Sequence, residues 1–324
     1  MPPKSSPAPV AALRGHGVAA NCVSFLAPTE LVSGGADGAV KLWDLRTRRE
    51  RASHATAHSK AGVLHVASLG GGSTQFVTQG RDGFVRVWDT ATFGSSSAPR
   101  TQFYCGSFSF TKFATLRWPD AGAGGDASLD QLIVSPTGEA DQIAVFDTRS
   151  PTPALVVRVP DTTNTKGMCM SLALFNAATQ GGGGGTAYIA AGWEGGQLSV
   201  LDFRSGGNVV TERAIAKAAS PLLSFDVTRD GATFVCGSSG EQLLRTTFDA
   251  AMLTLHEPDA FFECSRGGIS SPLAVLKFHT ESVFGLDFSP DDALLASASK
   301  DHKLALWSVY PPTEDAARRS LRAY

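Results

Sequence analysis

The sequence predicts an all-β fold of stacked, repeated four-stranded sheets, and three observations carry that expectation. A single phrase recurs as LVSGGADGAVKLWD at Leu31–Asp44, FVTQGRDGFVRVWD at Phe76–Asp89 and LASASKDHKLALWS at Leu295–Ser308. Each copy holds a hydroxyl residue, an Asp four residues on and a Trp six after that: Ser33/Asp37/Trp43, Thr78/Asp82/Trp88 and Ser297/Asp301/Trp307. A His lies upstream of each, at His16, His58 and His279. Self-similar units of this kind cannot bury an apolar face alone and stack on their neighbours, here as the blades of a β-propeller. The 34 glycines and the 43% hydrophobic content suit many short strands joined by tight turns. At 324 residues the chain suits one such domain.

The elements follow in order. Residues 1–9 read as a disordered lead-in, 10–312 as a single propeller of WD repeats and 313–324 as a short tail. Blade one runs from His16 through Cys22–Leu26 to Asp44, with Val40 and Leu42 on one face and Lys41 and Trp43 on the other. Blade two runs from His58 to Asp89, with a loop at Gly70–Ser73; Gly94–Arg100 is a Ser-rich linker. Blade three is degenerate: Phe113–Leu116, Gln131–Val134 and Gln142–Asp147 read as strands around a Gly/Ala/Asp loop at Ala121–Asp130. Blade four opens at Met168–Phe175; its strand Tyr188–Ala191 leads through the turn GWEGG to Gln197–Asp202, with Gly195 at the Asp position and Leu201 at the Trp position. The run Gly181–Gly185 is a loop, because no GK[ST] or helix start follows it. Blade five spans Pro221–Asp249 with Thr246 at the Trp position, and the last blade runs from His279 to Ser308. The chain then ends on a third strand, so an apolar strand at Val10–Leu13 is expected to supply the missing outer strand and remove the open edge.

In each full repeat the Asp is expected to accept from turn amides and from the His, the His to engage the hydroxyl, and the hydroxyl to take the Trp indole N–H. His16, Ser33, Asp37, Trp43, His58, Thr78, Asp82, Trp88, His279, Ser297, Asp301 and Trp307 form structural tetrads on this reading. A Ser–His–Asp set also suggests a hydrolase triad, but three copies suit scaffolding, and no GxSxG elbow is present. The sequence therefore predicts no enzyme, no cofactor and no metal. Four other histidines, His54, His65, His256 and His302, lack metal-ligand spacing. The formal net charge of −2 leaves no global footprint for nucleic acid. No apolar run is long enough to span a membrane, and the first residues lack a signal-peptide core. Five scattered cysteines without a CxxC read as reduced thiols, with Cys22, Cys169 and Cys236 in the core, which points to nucleus and cytoplasm.

Several phrases are more specific than the repeat. VTQGRDGFVRVWD (Val77–Asp89), KGMCMSLALF (Lys166–Phe175), IAAGWEGGQLSVLD (Ile189–Asp202), PLAVLKFH (Pro272–His279) and SKDHKLALWSVYPP (Ser299–Pro312) cover most of the chain. On these the chain resembles a WD-repeat family. It comprises the ASTRA-associated protein of fungi, the guanine nucleotide-binding protein β-subunit-like protein of animals, and a plant protein named for decreased plasmodesmal size exclusion limit. The resemblance implies a non-enzymatic scaffold in co-chaperone and chromatin assemblies that mature phosphatidylinositol-3-kinase-like kinases, supporting growth and development. It implies protein partners and no G-protein γ subunit, since the first repeat leaves no room for a long N-terminal helix. It also implies seven blades, where six are recognisable. The span from Asp249 to Ser308 is too short for two, so one blade reads as truncated at about 250–277. Six complete blades are expected, with 251–271 irregular or adding a strand beside Leu273–Lys277; the alternative is a seven-bladed ring with a gap or thin blade.

Two surface readings complete the set. Arg81, Trp193, Glu194 and Lys300, near the turn Asp positions, are candidate partner-binding rim residues, against ordinary rim or inter-blade packing. Trp43–Arg46 matches a WDxR pattern, so Asp44 and Arg46 are candidates for docking a cullin-RING ubiquitin ligase adaptor, against a solvated Arg after a third strand.

Overall fold

A computed structural model describes residues 8–69, 74–96, 98–107, 109–116, 129–150, 152–161, 165–177, 186–216, 220–228, 230–239, 242–263 and 276–308. Within these the chain is built from antiparallel strands and a single 3-10 turn at Leu129–Gln131. The N-terminal lead-in, the loops expected at Gly70–Ser73 and Gly181–Gly185, most of the Ala121–Asp130 loop and the tail after Ser308 lie outside the described residues.

The chain divides into two compact units, the first being Met1–Ser68, Gly72–Gln102 and Ser271–Tyr324. Its N-terminal strand is β1 (Ala11–Arg14). Blade one comprises β2 (Ala20–Ala27), β3 (Glu30–Gly35), β4 (Val40–Asp44) and β5 (Arg49–His54), hydrogen-bonded in that order. Blade two comprises β6 (Val63–Ser68), β7 (Gln75–Gly80), β8 (Phe84–Asp89) and β9 (Thr101–Tyr104). The second unit, Leu69–Gly71 and Phe103–Ser270, holds three sheets. Blade three comprises β10 (Ala114–Thr115), β11 (Leu132–Pro136), β12 (Gln142–Asp147) and β13 (Pro153–Arg158). Blade four comprises β14 (Cys169–Ala177), β15 (Thr186–Trp193), β16 (Gln197–Asp202) and β17 (Asn208–Ala214). Blade five comprises β18 (Ser224–Val227), β19 (Thr233–Gly237) and β20 (Gln242–Asp249), with β21 (Thr254–Leu255) and β22 (Asp259–Glu263) both pairing β20. The last blade, in the first unit, comprises β23 (Val283–Phe288), β24 (Leu294–Ser299) and β25 (Lys303–Ser308), in the order β1-β25-β24-β23.

The N-terminal strand completes this last sheet in register, Ala11 opposite Leu306 and Arg14 opposite Lys303. Its Leu13 is buried with Leu304, Leu306, Val23 and Phe25, so the seam joins the two ends of the chain through a shared core. Three other inter-sheet cores are made the same way. Val40, Leu42, Val63, Val66, Phe76 and Trp88 fill the space between blades one and two. Val134, Val145, Leu174, Ile189 and Trp193 pack between three and four, and Tyr188, Val200, Phe234 and Cys236 between four and five. Alternation along each strand sends one set of side chains to each neighbour, which is why both faces of a blade read as apolar.

One expectation is corrected: the strand at Phe113–Leu116 contracts to the two residues of β10. Of the strand expected at Leu273–Lys277, the first three residues lie outside the described residues, and Leu276 and Lys277 are not in a strand. The extra strand in this region is β22, which pairs β20 through Arg245 opposite Asp259 and serves as blade five's outer strand.

Candidate functional site

Blade two shows the repeated network in full. The Asp82 carboxylate can only accept, so His58 donates from Nδ1 to Oδ1 at 2.9 Å. Its Nε2 then accepts from the Thr78 hydroxyl at 2.8 Å, and Thr78 Oγ1 accepts the Trp88 indole N–H at 2.9 Å. Asp82 also takes the Phe84 amide at 3.2 Å and Arg86 Nη1 at 2.7 Å. Burial opposes ionisation of Asp82, but the bond from His58 and the Arg86 guanidinium outweigh it and hold its pKa down at about 2. Burial likewise drives the His58 pKa below its ordinary value, Asp82 opposing. Gly80 is required by this geometry: a Cβ there would lie 2.1 Å from His58 Nδ1.

The last blade repeats the pattern. His279 Nδ1 lies 3.1 Å from both Asp301 oxygens, His279 Nε2 is 2.8 Å from Ser297 Oγ, and Trp307 donates to Ser297 at 3.0 Å. Thr280 and Lys303 give their amides to Asp301.

Blade one departs from the expectation. His16 Nε2 meets Ser33 Oγ at 2.7 Å and Trp43 donates to the same oxygen at 2.8 Å, but Asp37 accepts only from the Ala39 amide, at 3.1 Å. His16 Nδ1 is buried without a hydrogen-bond partner among the described residues. The difference is solvation, since Asp37 is exposed where Asp82 and Asp301 are partly buried. Burial, then the Lys41 charge, lowers the His16 pKa to about 4.

Blade four lacks the tetrad residues and carries a different buried network, which sequence reasoning missed. By register Ala191 faces Ser199 as Ser33 faces Lys41, so Ala191 stands at the hydroxyl position. Trp193, two residues further, stands where blades one and two have Gly35 and Gly80. With no His to accommodate, the indole takes that room. Trp193 Nε1 donates to Ser199 Oγ at 2.8 Å, and Ser199 donates in turn to Glu212. Buried Lys166 donates to Glu212 at 2.7 Å and to the Pro160 carbonyl at 2.9 Å, and lies 5.2 Å from the Trp193 ring centroid. The signal was present: Lys166 opens the KGMCM phrase, and Trp193 sits in GWEGG. In blade five, Phe234 faces Thr246 as Leu31 faces Trp43, and the Thr246 hydroxyl donates to the His256 carbonyl at 2.7 Å.

The rim candidates separate accordingly. Arg81, Glu194 and Lys300 are exposed. Trp193 is 0% exposed, so its reading as a rim contact is corrected: its indole has its partner inside the sheet. Glu194 also holds the Met168 amide at 3.2 Å, and Lys300 lies 3.6 Å from Glu281.

The Asp-x-Arg of the WDxR match recurs at Asp147–Arg149 and Asp202–Arg204, and all three triplets are turn devices. Asp44, Asp147 and Asp202 each accept the amide two residues on, at 2.9 Å. Asp89 and Asp249 do the same where no Arg follows, at 2.8 and 2.9 Å. The Asp is thus explained by its Asx turn. Arg149 folds back onto Asp147, its Nη2 at 2.6 Å, whereas Arg46 is exposed.

The comparisons with known proteins agree with this geometry. Residues 7–44, 51–89 and 270–308 match the family model described as "WD domain, G-beta repeat". The β-propeller domain of Cps50 (Swd1) from Myceliophteria thermophila superimposes with a TM-score of 0.66 at 16% identity, covering 94% of this chain and 99% of that one.

The fold is a WD-repeat β-propeller.

Among curated proteins, this propeller is 26% identical over 346 residues to mouse guanine nucleotide-binding protein subunit beta-like protein 1, covering 94% of this chain and 97% of the relative. It is 26% identical over 390 residues to ASTRA-associated protein 1 of Verticillium alfalfae, covering 94% and 93%. The protein of that name from Schizosaccharomyces pombe matches at 45% over 40 residues, 12% of this chain and 11% of the relative.

Proposed function

We propose that the propeller is a non-enzymatic scaffold for protein–protein interaction. One observation carries this reading. The residues that could do chemistry, the Ser/Thr, His and Asp of the repeats, are spent on holding blades together, with the same wiring at His58 and His279. What the tetrads leave for function is the surface, where Arg81, Glu194 and Lys300 lie exposed. The relatives named ASTRA-associated protein support membership of a multiprotein assembly; from the sequence resemblance we place it with the co-chaperone and chromatin assemblies that mature phosphatidylinositol-3-kinase-like kinases, in nucleus and cytoplasm. Affinity purification from the source cells, with an Arg81→Glu/Lys300→Glu variant alongside, tests this. Recovery of such co-chaperone or kinase-like subunits by the wild type, with loss in the variant, is expected. Recovery of a cullin adaptor lost on Arg46→Ala would favour ligase docking. Purified protein bound to none of these would sink both readings.

A further inference from the structure

One turn of blade one concentrates positive charge. Residues 46–51 hold four arginines, Arg46, Arg48, Arg49 and Arg51, against the single acid Glu50, in a chain of net charge −2. The equivalent turns of the other blades differ: 89–93 and 249–253 hold no arginine, and 147–150 and 202–206 hold one each. Blade one has a sheet of its own unit on either side, sharing one core with the last blade and another with blade two. The setting of this turn is therefore fixed within that unit.

The acids nearby are already committed. Asp44 accepts the Arg46 amide at 2.9 Å and the Thr47 hydroxyl at 3.0 Å, Glu30 takes the Arg51 guanidinium, and Glu50 takes Lys41. Leu45 is buried and gives its amide to the Thr29 carbonyl at 2.9 Å, which pins the turn to the sheet. Arg46, Arg48 and Arg49 are exposed, and their guanidinium groups meet no carboxylate among the described residues. Arg48 also stands where the backbone favours glycine. Its φ is 56°; at the same distance from the turn Asp, blade four has Gly206 at φ 80° and blade five has Leu253 at φ 51°. Left-handed backbone is thus built into this turn, and a side chain there is strained. Arg48 carries that strain with an exposed side chain that pairs with nothing described in its own chain, which points to a partner outside it.

We propose that this turn docks a short acidic segment of a partner protein, its carboxylates paired by Arg46, Arg48 and Arg49; the proposal rests on the scaffold reading and names the chemistry of one partner. Each guanidinium presents a planar fork of donors that suits a carboxylate. The patch is only one turn wide, which fits a few acidic side chains. A nucleic acid or an anionic membrane would extend beyond three guanidinium groups and meet a chain whose overall charge is negative.

Fluorescence anisotropy of a labelled peptide of alternating Asp and Glu residues, titrated with the full chain, tests this. Binding is expected at about 50 mM salt and is expected to weaken toward about 0.5 M as screening shortens the Debye length. Arg48→Gly is expected to bind about two- to fivefold more weakly, the worth of one exposed ion pair. Its melting temperature should stay the same or rise, because the strain is relieved. Arg48→Glu/Arg49→Glu is expected to abolish binding. The scaffold reading is judged separately, since affinity purification through Arg81 and Lys300 does not depend on this turn. Three results would overturn the proposal. They are no binding at low salt, binding that both variants retain in full, or a preference for a single-stranded oligonucleotide or anionic phospholipid vesicles over the peptide.

Discussion

Ser33, Thr78 and Ser297 do one job: each oxygen takes an indole N–H and meets a His Nε2. Spacing alone located them, because the phrase repeats around a turn of constant length. Spacing did not show that Asp37 leaves His16 Nδ1 without a partner among the described residues, since solvent exposure at one turn is set by neighbours and not by the motif. Asp82→Ala is expected to cost about 1–3 kcal/mol through its orphaned donors. Trp88→Ala and Trp193→Ala are each expected to cost about 3–5 kcal/mol as core truncations. Denaturant titration checks all three, and full stability with lost binding would make any of them a site after all. Gly80→Ala is expected to destabilise as well, because the new Cβ overlaps the His58 ring.

Acid unfolding has two windows at this scale. His16 has a folded pKa of about 4, below the ordinary 6.5, so the folded state binds fewer protons than the unfolded state between those values. Its share of stability is complete above about 6.5 and declines as pH falls to 4, by about 3 kcal/mol from the 1.36 kcal/mol per unit rule. Asp82 is depressed from 3.8 to about 2, so its contribution is present above the higher value and is lost as pH falls through the lower. Stability measured from pH 7 to pH 2 should therefore drop first in the His window. His16→Gln should reduce that first drop, leaving the share that His58 contributes in the same direction, and leave the second.

At the scale of elements, strands flanking a tight turn were legible: Gln142–Asp147 and Gln197–Asp202 emerge with the bounds read from the sequence. The N-terminal strand lies at Ala11–Arg14 against an expected Val10–Leu13. Blade four was legible as strands but not as a network, because its polar partners come from four separate segments at Lys166, Trp193, Ser199 and Glu212. β22 was not foreseen as blade five's outer strand, since nothing in DAFFE distinguishes pairing with β20 from pairing elsewhere. Deleting residues 1–14 removes β1 and leaves β25 as an exposed edge with Leu304 and Leu306 uncovered. The melting temperature should fall clearly; an unchanged value would mean that the seam contributes nothing.

For the whole molecule, blade five has its outer strand in β22, and the last repeat match begins at residue 270, directly after it. The alignment with the mouse relative runs to 346 positions against 94% of 324 residues, which leaves about 40 positions of it opposite gaps here. That is the size of one repeat. Transcript sequencing in the source is expected to show a form with about 40 additional residues near Gly267–Pro272. Absence of any longer transcript would establish a genuine six-bladed chain.

The pairing of Ala11 with Leu306 also sets a timetable. During synthesis β1 is made first, and the strand it needs is finished about 295 residues later. At about 5–20 residues per second, the wait is on the order of 15–60 s. Until β25 emerges the last sheet cannot be completed, however early the middle blades fold. The contact of longest sequence separation is therefore the slowest to form. A newborn chain spends that interval with both ends unsatisfied, and it is then, more than in the finished protein, that it is open to mispairing.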